Sequence, residues 1–365
     1  MSIRILHVVT YMGRGGLETM LMNYYRHMDR DKVQFDFLVH REFEADYDEE
    51  IRELGGRIYH VSRLIPWSRQ YRRELKDFFQ NHPEYKVVHI HQDCLSSVAL
   101  QCAMECGVPV RIAHSHNSSQ DKNLKYLIKL HYMKKIPRYA TDLFACSEQA
   151  GEWMFGKAVF KVLYNAIEVE KYRYCPETAA KIRSEFGIGN ELVIGNVGRF
   201  RAQKNHEFLI DIFIECLKQT PEVKLLLVGD GERRKEIEDK VKNAGIPDKV
   251  IFAGVRSDVN ELLQAMDIFV FPSLYEGLGI SVIEAQASGL PCVISENVPD
   301  ESIIVNSLVK KMSLEEPAYE WAKQILEQNR TARKSYSEEL NAAGYDIVTA
   351  AQNMEQFYLK AYERE

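Results

Sequence analysis

The chain has 365 residues, of which 45% are hydrophobic and 27% charged, and its formal net charge is −6. This length predicts about two domains, with ample chain to bury a core in each. The composition excludes a disordered, collagenous or disulfide-scaffold protein, and the acidic balance argues against a protein that coats nucleic acid.

Short β-rich runs alternate with helical stretches almost throughout. The first half predicts strands at Ile3–Val9, Gln34–Val39, Arg57–His60, Lys86–His91, Val110–His114 and Asp142–Cys146. Helical stretches lie between them at Leu17–Met28, Ser68–Gln80, Ser96–Cys106 and Lys122–Lys135. The acidic run Glu42–Glu53 reads as a solvated loop and helix start. Several strands are apolar on both faces, as in a parallel sheet covered by helices on each side. The pattern restarts after Asn165. Tyr172–Gly189 carries a proline, a helical run and two glycines, and strands follow at Glu191–Val197, Val223–Val228, Val250–Phe252, Ile268–Phe271 and Cys292–Ile294. Ile347–Arg364 reads as an amphipathic helix. The alternation predicts two doubly wound α/β domains. The seven cysteines are scattered, form no CxxC pair and read as buried reduced thiols. With no secretory signal pattern and no run of ~18 apolar residues, the expectation is a cytoplasmic protein with at most peripheral membrane contact.

Four motifs carry chemistry. Gly13-Arg14-Gly15-Gly16-Leu17-Glu18 follows the first strand, where a glycine-rich turn feeds a helix N-terminus and offers backbone N–H groups to an anion. It lacks the dinucleotide fingerprint: Glu18 stands where the last glycine would be, and Val39-His40 where the acidic residue would be. A plain tight turn is the alternative. Gly198-Arg199 through Lys204-Asn205 sets two cations on the loop after a strand, which suits a diphosphate; a solvated basic loop is the alternative. In Glu276-Gly277-Leu278-Gly279-Ile280 through Glu284, two carboxylates bracket a glycine-containing loop and a helix start near Ile280, so the backbone can approach a ligand. Chance surface glutamates are the bland alternative. Finally, His89 and His91, and His114 and His116, lie two apart on strands, so each pair shares a sheet face. Packed histidines and a zinc site both remain open for that set, and His116 with Asn117 offers polar contacts to a sugar.

The combination resembles retaining nucleotide-sugar glycosyltransferases of family 4. The resemblance rests on Gly15-Gly16-Leu17-Glu18, Gly198-Arg199 with Lys204-Asn205, the turn Gly229-Asp230-Gly231-Glu232, and the Glu276 to Glu284 spacing within FPSLYEGLGISVIEAQASGLP. It runs from about Ile3 to Val298 and is strongest across 195–295. AHSHN, LFACSEQAG and YNAIE are similar to bacterial capsular and exopolysaccharide members.

The resemblance implies a GT-B fold, two Rossmann-like domains with a cleft between them. The expected division is an acceptor-side domain at 1–170, a donor domain at 171–345, and a helix at 346–365 that crosses back. It implies that Arg199 and Lys204 neutralise the nucleotide diphosphate and that Glu284 holds the ribose hydroxyls. Glu276 and the backbone of Gly277, Leu278, Gly279 and Ile280 would meet the donor sugar and phosphate. The base would lie near Val255 and Arg256, His116 near the sugar, and Gly16 by the diphosphate. The expected reaction moves a sugar from a nucleotide sugar, UDP favoured, to a glycan or lipid-linked acceptor with retention, in exopolysaccharide or capsule synthesis. No cofactor and no metal are expected, since the triplets Asp29-Arg30-Asp31 and Asp46-Tyr47-Asp48 do not end apolar strands. The segment Asp121–Arg138, rich in lysine with interleaved apolar residues, together with Arg69, Arg72 and Arg73 after Trp67, suggests contact with an anionic membrane; a plain surface helix is the alternative. A sugar-nucleotide epimerase and a non-catalytic glycan- or nucleotide-binding partner are the competing functions.

Overall fold

A computed structural model describes residues 2–117, 126–328 and 333–364. The chain forms two compact units, Met1–Ile167 together with Asp346–Glu365, and Glu168–Tyr345.

The first unit carries a seven-stranded sheet of β1 (Ile3–Val8), β2 (Val33–Val39), β3 (Ile58–His60), β4 (Val87–Ile90), β5 (Val110–Ser115), β6 (Asp142–Ala145) and β7 (Lys161–Val162), in the order β3-β2-β1-β4-β5-β6-β7. The second carries β8 (Leu192–Val197), β9 (Val223–Val228), β10 (Val250–Gly254), β11 (Ile268–Phe271), β12 (Cys292–Ser295) and β13 (Val309–Met312), in the order β10-β9-β8-β11-β12-β13. Every pairing is parallel. Both are doubly wound Rossmann-like sheets. Their strand order reverses between β1 and β4 and between β8 and β11, where α/β proteins place ligands at the strands' carboxyl ends.

Alternation along single strands shows why these sheets are covered on both sides. In β9, Val223, Leu225 and Leu227 join one apolar cluster, with Leu209, Phe213 and Trp321. Leu226 and Val228 join the other, with Leu262, Val282 and Ala285. A strand buried on two faces needs apolar residues at every position, and β9 has them save Lys224. The final helix, Ile347–Tyr362, completes the first unit: Ile347, Met354 and Tyr358 enter its core beside Ile5, Phe35 and Val87. Glu355 accepts from the Asp29 backbone N–H at 3.0 Å and so fastens that helix to the turn before β2.

Two strands have no counterpart in the sequence pattern, β7 and β13. Both lie at sheet edges, are short and carry lysines, so neither shows the apolar run of a central strand. The helix expected at Lys122–Lys135 is observed over Tyr126–Met133, and a separate turn, Ile136–Tyr139, follows with Pro137 in its first turn. Lys122, Leu124 and Lys125 lie outside the described residues. All seven cysteines are free, and no described helix is long and apolar enough to cross a membrane.

Candidate functional site

In the second unit the two motif-bearing loops leave β8 and β11, the strands that flank the order reversal. The loop after β8 is clasped by the turn after β9: Gly198 N–H donates to Val228 O at 3.0 Å, Phe200 N–H to Asp230 O at 3.0 Å, and Arg233 N–H to Phe200 O at 3.0 Å. Glycine is required for this clasp. Gly229 has a φ of 132°, and a Cβ there would lie 2.2 Å from Gly198 O.

The clasp presents Lys204 to the loop after β11. Its Nζ donates to Glu276 Oε1 at 2.7 Å and lies 4.6 Å from the centre of the Phe271 ring. Gln203 Nε2 donates to Tyr275 O at 3.0 Å, and Leu274 N–H to Gln203 O at 2.8 Å. Glu276 is only 5% exposed, so this ion pair is largely withdrawn from water. Seventy-two positions separate Lys204 from Glu276, and the sequence assigned them separate roles. Arg199 stands exposed at the start of the same loop.

Gly279 precedes the helix Ile280–Ala287 with a φ of 84°, and no side chain caps that helix. The Val282 N–H bonds to Gly279 O at 2.9 Å, so the first two helical N–H groups, of Ile280 and Ser281, lack intrahelical partners and suit an anion. Gly277 and Leu278 are buried, so they offer main chain rather than side chain. One turn into the helix, the buried Glu284 accepts a hydrogen bond from Tyr172 Oη at 2.7 Å. Burial pushes its carboxyl up to about 7, an effect the Tyr172 bond opposes. Sequence reasoning missed Tyr172, whose only signal is a tyrosine in the connection into the second unit. Val255 is exposed. Arg256 is committed to its own unit, reaching Asp258 Oδ2 at 2.7 Å and Glu185 Oε1 at 2.8 Å.

In the first unit, Gly16 opens the helix Gly16–His27 and Gly15 is its extended N-cap. The Glu18 carboxylate folds back over this turn: a Cβ on Gly15 would lie 2.3 Å from Glu18 Oε2. A carboxylate thus already occupies the region where backbone N–H groups were expected to face a phosphate. His116 and Asn117 follow β5, and Asn117 Nδ2 donates to Asp93 Oδ2 at 2.9 Å. Asp93 has a φ of 46°, in the left-handed region that few residues other than glycine adopt.

Behind His116 the paired histidines share one sheet face, as their spacing predicts, and His7 of β1 joins them. His91 Nδ1 lies 2.9 Å from His116 Nε2, and His91 Nε2 lies 3.1 Å from His7 Nδ1. His89 Nδ1 is 2.7 Å from Tyr358 Oη. His7, His89, His91 and His114 are buried, and burial pulls all five imidazoles below their ordinary range, His7 and His116 to about 3. They are neutral at physiological pH.

Two triads, His7 with His89 and His91, and His91 with His114 and His116, each gather their nitrogens within 4.8 Å. Neutral imidazoles can ligate a transition metal, but no carboxylate or thiolate joins either triad among the described residues, so a divalent charge there would be uncompensated. The two acidic triplets are used locally. Asp29 pairs with Lys32 at 2.8 Å, Asp46 accepts from Arg14 N–H at 3.1 Å, and Asp48 from Ala45 N–H at 3.0 Å.

Family comparisons agree with this architecture. The family model described as Glycosyltransferase Family 4 matches residues 14–171, and that of Glycosyl transferases group 1 matches residues 179–339. The putative glycosyltransferase EpsF of Bacillus subtilis (strain 168) is 38% identical over 360 residues, covering 94% of this chain and 93% of that one. The Escherichia coli UDP-Gal:alpha-D-GlcNAc-diphosphoundecaprenol alpha-1,3-galactosyltransferase is 24% identical over 236 residues, 61% of each chain. Anabaena Alr3699/HepE, solved in complex with UDP-glucose, has the same fold with a TM-score of 0.80 at 20% identity, over 98% of this chain and 99% of that one. With two Rossmann-like sheets, loops of matching spacing and a relative similar along nearly its whole length, the chain belongs to the family 4, group 1 glycosyltransferases.

Proposed function

We propose that the protein transfers a sugar from a UDP-sugar to a glycan or lipid-linked acceptor, with retention at the anomeric carbon, in the synthesis of an exopolysaccharide or capsule. The observation that carries this reading is the Lys204–Glu276 pair beside the uncapped helix at Gly279, on the two loops that flank the β8–β11 reversal. A cation, open backbone N–H groups and the buried Glu284 are what a nucleoside diphosphate sugar requires: charge for the diphosphate and an acceptor for ribose hydroxyls. Lys204 and Arg199 stabilise the charge that grows on the leaving nucleotide. Glu276 orients Lys204 and receives a sugar hydroxyl. The main chain of Gly277, Leu278, Gly279 and Ile280 meets sugar and phosphate oxygens, and the nucleobase lies near Val255 and Arg256. In the first unit, Gly15, Gly16, His116 and Asn117 serve the sugar and acceptor side. His116 acts there as a neutral hydrogen-bonding group, since burial opposes its taking a charge. The UDP-sugars named for the relatives from Escherichia coli and Anabaena support the choice of base. A thermal-shift panel of UDP, GDP, ADP and CMP tests it: UDP should give the largest shift, with ~2.7 kcal/mol expected at 100 times its dissociation constant.

Catalysis in this account needs no divalent cation, because Lys204 and Arg199 supply the positive charge. Activity should persist in excess EDTA. Complete loss, restored by magnesium or manganese, would contradict it.

An acceptor carried on lipid brings the first unit to an anionic bilayer. Supporting this, the helix Tyr126–Met133 leaves Leu127 76% exposed beside a loop whose Trp67 is 66% exposed. Tyr132 Oη donates to Pro66 O at 3.1 Å and joins the two. Lys134 and Arg138 are exposed nearby in the chain. Exposed apolar side chains with exposed cations close in the chain suit a membrane interface, each cation adding ~1 kcal/mol at an anionic surface. Sedimentation with anionic liposomes should show salt-sensitive binding that is lost in Trp67→Ala/Leu127→Ser and weakened in Lys134→Glu/Arg138→Glu. Absence of binding at low salt would refute membrane contact.

A further inference from the structure

The two carboxylate oxygens of Glu284 are not used alike. Oε1 accepts from Tyr172 Oη at 2.7 Å. Oε2 has no hydrogen-bond partner among the described residues. It is also not one of the enclosed orphan oxygens, as Asp48 Oδ1 and Asn196 Oδ1 are, so it reaches solvent. The residue as a whole is 8% exposed, which makes that opening narrow. The last torsion of a glutamate is broad and roughly two-fold, so a carboxylate without a partner turns easily. A donor fixed on one oxygen removes that freedom and decides where the other oxygen faces.

Tyr172 is itself fixed. Its ring packs on the apolar cluster that holds Leu262, Val282 and Ala285. Its turn, Val169–Tyr172, is pinned by two side chains of the helix Val259–Ala265. Asn260 Nδ2 donates to Lys171 O at 3.2 Å, and Gln264 Nε2 to Tyr172 O at 3.1 Å. Gln264 Oε1 in turn accepts from Cys175 N–H at 3.1 Å, so the main chain is held on both sides of the tyrosine. A hydroxyl on a ring already ordered in this way has little entropy left to lose when it binds. The bond also bears on charge. A hydroxyl donating to a carboxylate favours the ionised form, whereas burial favours the neutral one. These two influences act on Glu284, and no charged side chain among the described residues joins them.

We infer that Tyr172 is a positioning residue of the nucleotide site: by donating to Oε1 it favours the ionised Glu284 and turns Oε2 outward, ready to accept from ribose hydroxyls. This inference rests on the reading of Glu284 as the ribose acceptor.

Calorimetric titration of UDP from about pH 6 to 9, on the unaltered chain and on Tyr172→Phe, tests it. The substitution deletes one oxygen and keeps the ring in its apolar seat. Binding should weaken about tenfold at pH 7, and the midpoint of the rise in affinity with pH should move up by about 1–2 units, the effect of losing one hydrogen bond to a charged group. The titration of UDP itself is common to both proteins and cancels in their ratio. In a Glu284→Ala background, Tyr172→Phe should cost nothing further. Asn260→Ala loosens the turn without touching the ring and should move the midpoint the same way by less, which provides the check if Tyr172→Phe fails to fold. A tyrosine that only packs would lower the melting temperature and leave the midpoint in place. That result, with UDP binding weakened in Glu284→Ala, would overturn the inference alone. Undiminished UDP binding in Glu284→Ala would overturn the ribose reading and the inference with it.

Discussion

Replacing Lys204 with alanine is expected to lower turnover by about 10²–10³, the usual effect of deleting one preorganised charge contact to a developing anion. In the proposed reaction the nucleotide leaves with growing negative charge, and the Lys204 ammonium that would meet it is held by Glu276 at 2.7 Å and lies 4.6 Å from the centre of the Phe271 ring. The substitution has a second consequence. It leaves the buried Glu276 carboxylate without the Lys204 cation, so an anionic leaving group then meets a carboxylate that this ammonium no longer neutralises. Lys204→Ala should therefore be worse than Arg199→Ala, whose side chain is exposed in the same loop. Lys204→Ala/Glu276→Gln should recover part of the thermal stability without recovering turnover. Steady-state kinetics and a melting curve separate the effects, and turnover like that of the unaltered protein in Lys204→Ala would remove this residue from the chemistry.

The second large effect concerns Glu284. Removing it should weaken UDP binding by about 10–100-fold, as expected for losing hydrogen bonds to a charged acceptor. The pH dependence is more specific. Burial raises this carboxyl to about 7, so below that value the folded protein holds it protonated. Ribose hydroxyls bound there as proposed would donate to the ionised form and favour it, so UDP affinity should rise with pH from about 5.5 to 8 and then level. The slope should be at most tenfold per unit. Stability runs the other way. The folded state keeps a proton that the unfolded chain releases near its ordinary 4.5, so the stability linked to this group is full below that pH and is lost as pH rises through about 7. Glu284→Gln should flatten both profiles. Calorimetric titration of UDP and melting curves across this range provide the check, and an unchanged binding profile in Glu284→Gln would place the ribose elsewhere.

Much of this architecture is legible in the sequence, because fully buried parallel strands leave a strong mark. β1, β4, β9 and β11 show apolar runs that only a doubly covered sheet requires, and the glycine turns after β1, β9 and β11 mark where they end. The edge strands β7 and β13 left no mark, since two lysines and solvent on one side break the pattern. At the site, residue types were readable but partnerships were not. Local spacing cannot tell that Lys204 is tied to Glu276 or that Tyr172 reaches Glu284 from 112 positions away. Pairings of that kind are made by the sheet order, which brings the ends of β8 and β11 together. His7 escaped notice because a single histidine in an apolar strand looks like packing. It becomes informative only when β1 lies beside β4 and His7 aligns with His89. The Glu18 carboxylate over Gly15 was hidden for a different reason, since sequence alone does not report which way a first-turn side chain folds.

The central claim is that a nucleoside diphosphate sugar is held on the second unit, where the loops after β8 and β11 meet. Hydrogen exchange of the full chain with and without saturating UDP tests it most directly. The account predicts slowed exchange in 198–205 and in 276–284, including the open N–H groups that follow Gly279. Protection confined to 13–18 of the first unit, with 198–205 and 276–284 unchanged, would contradict it.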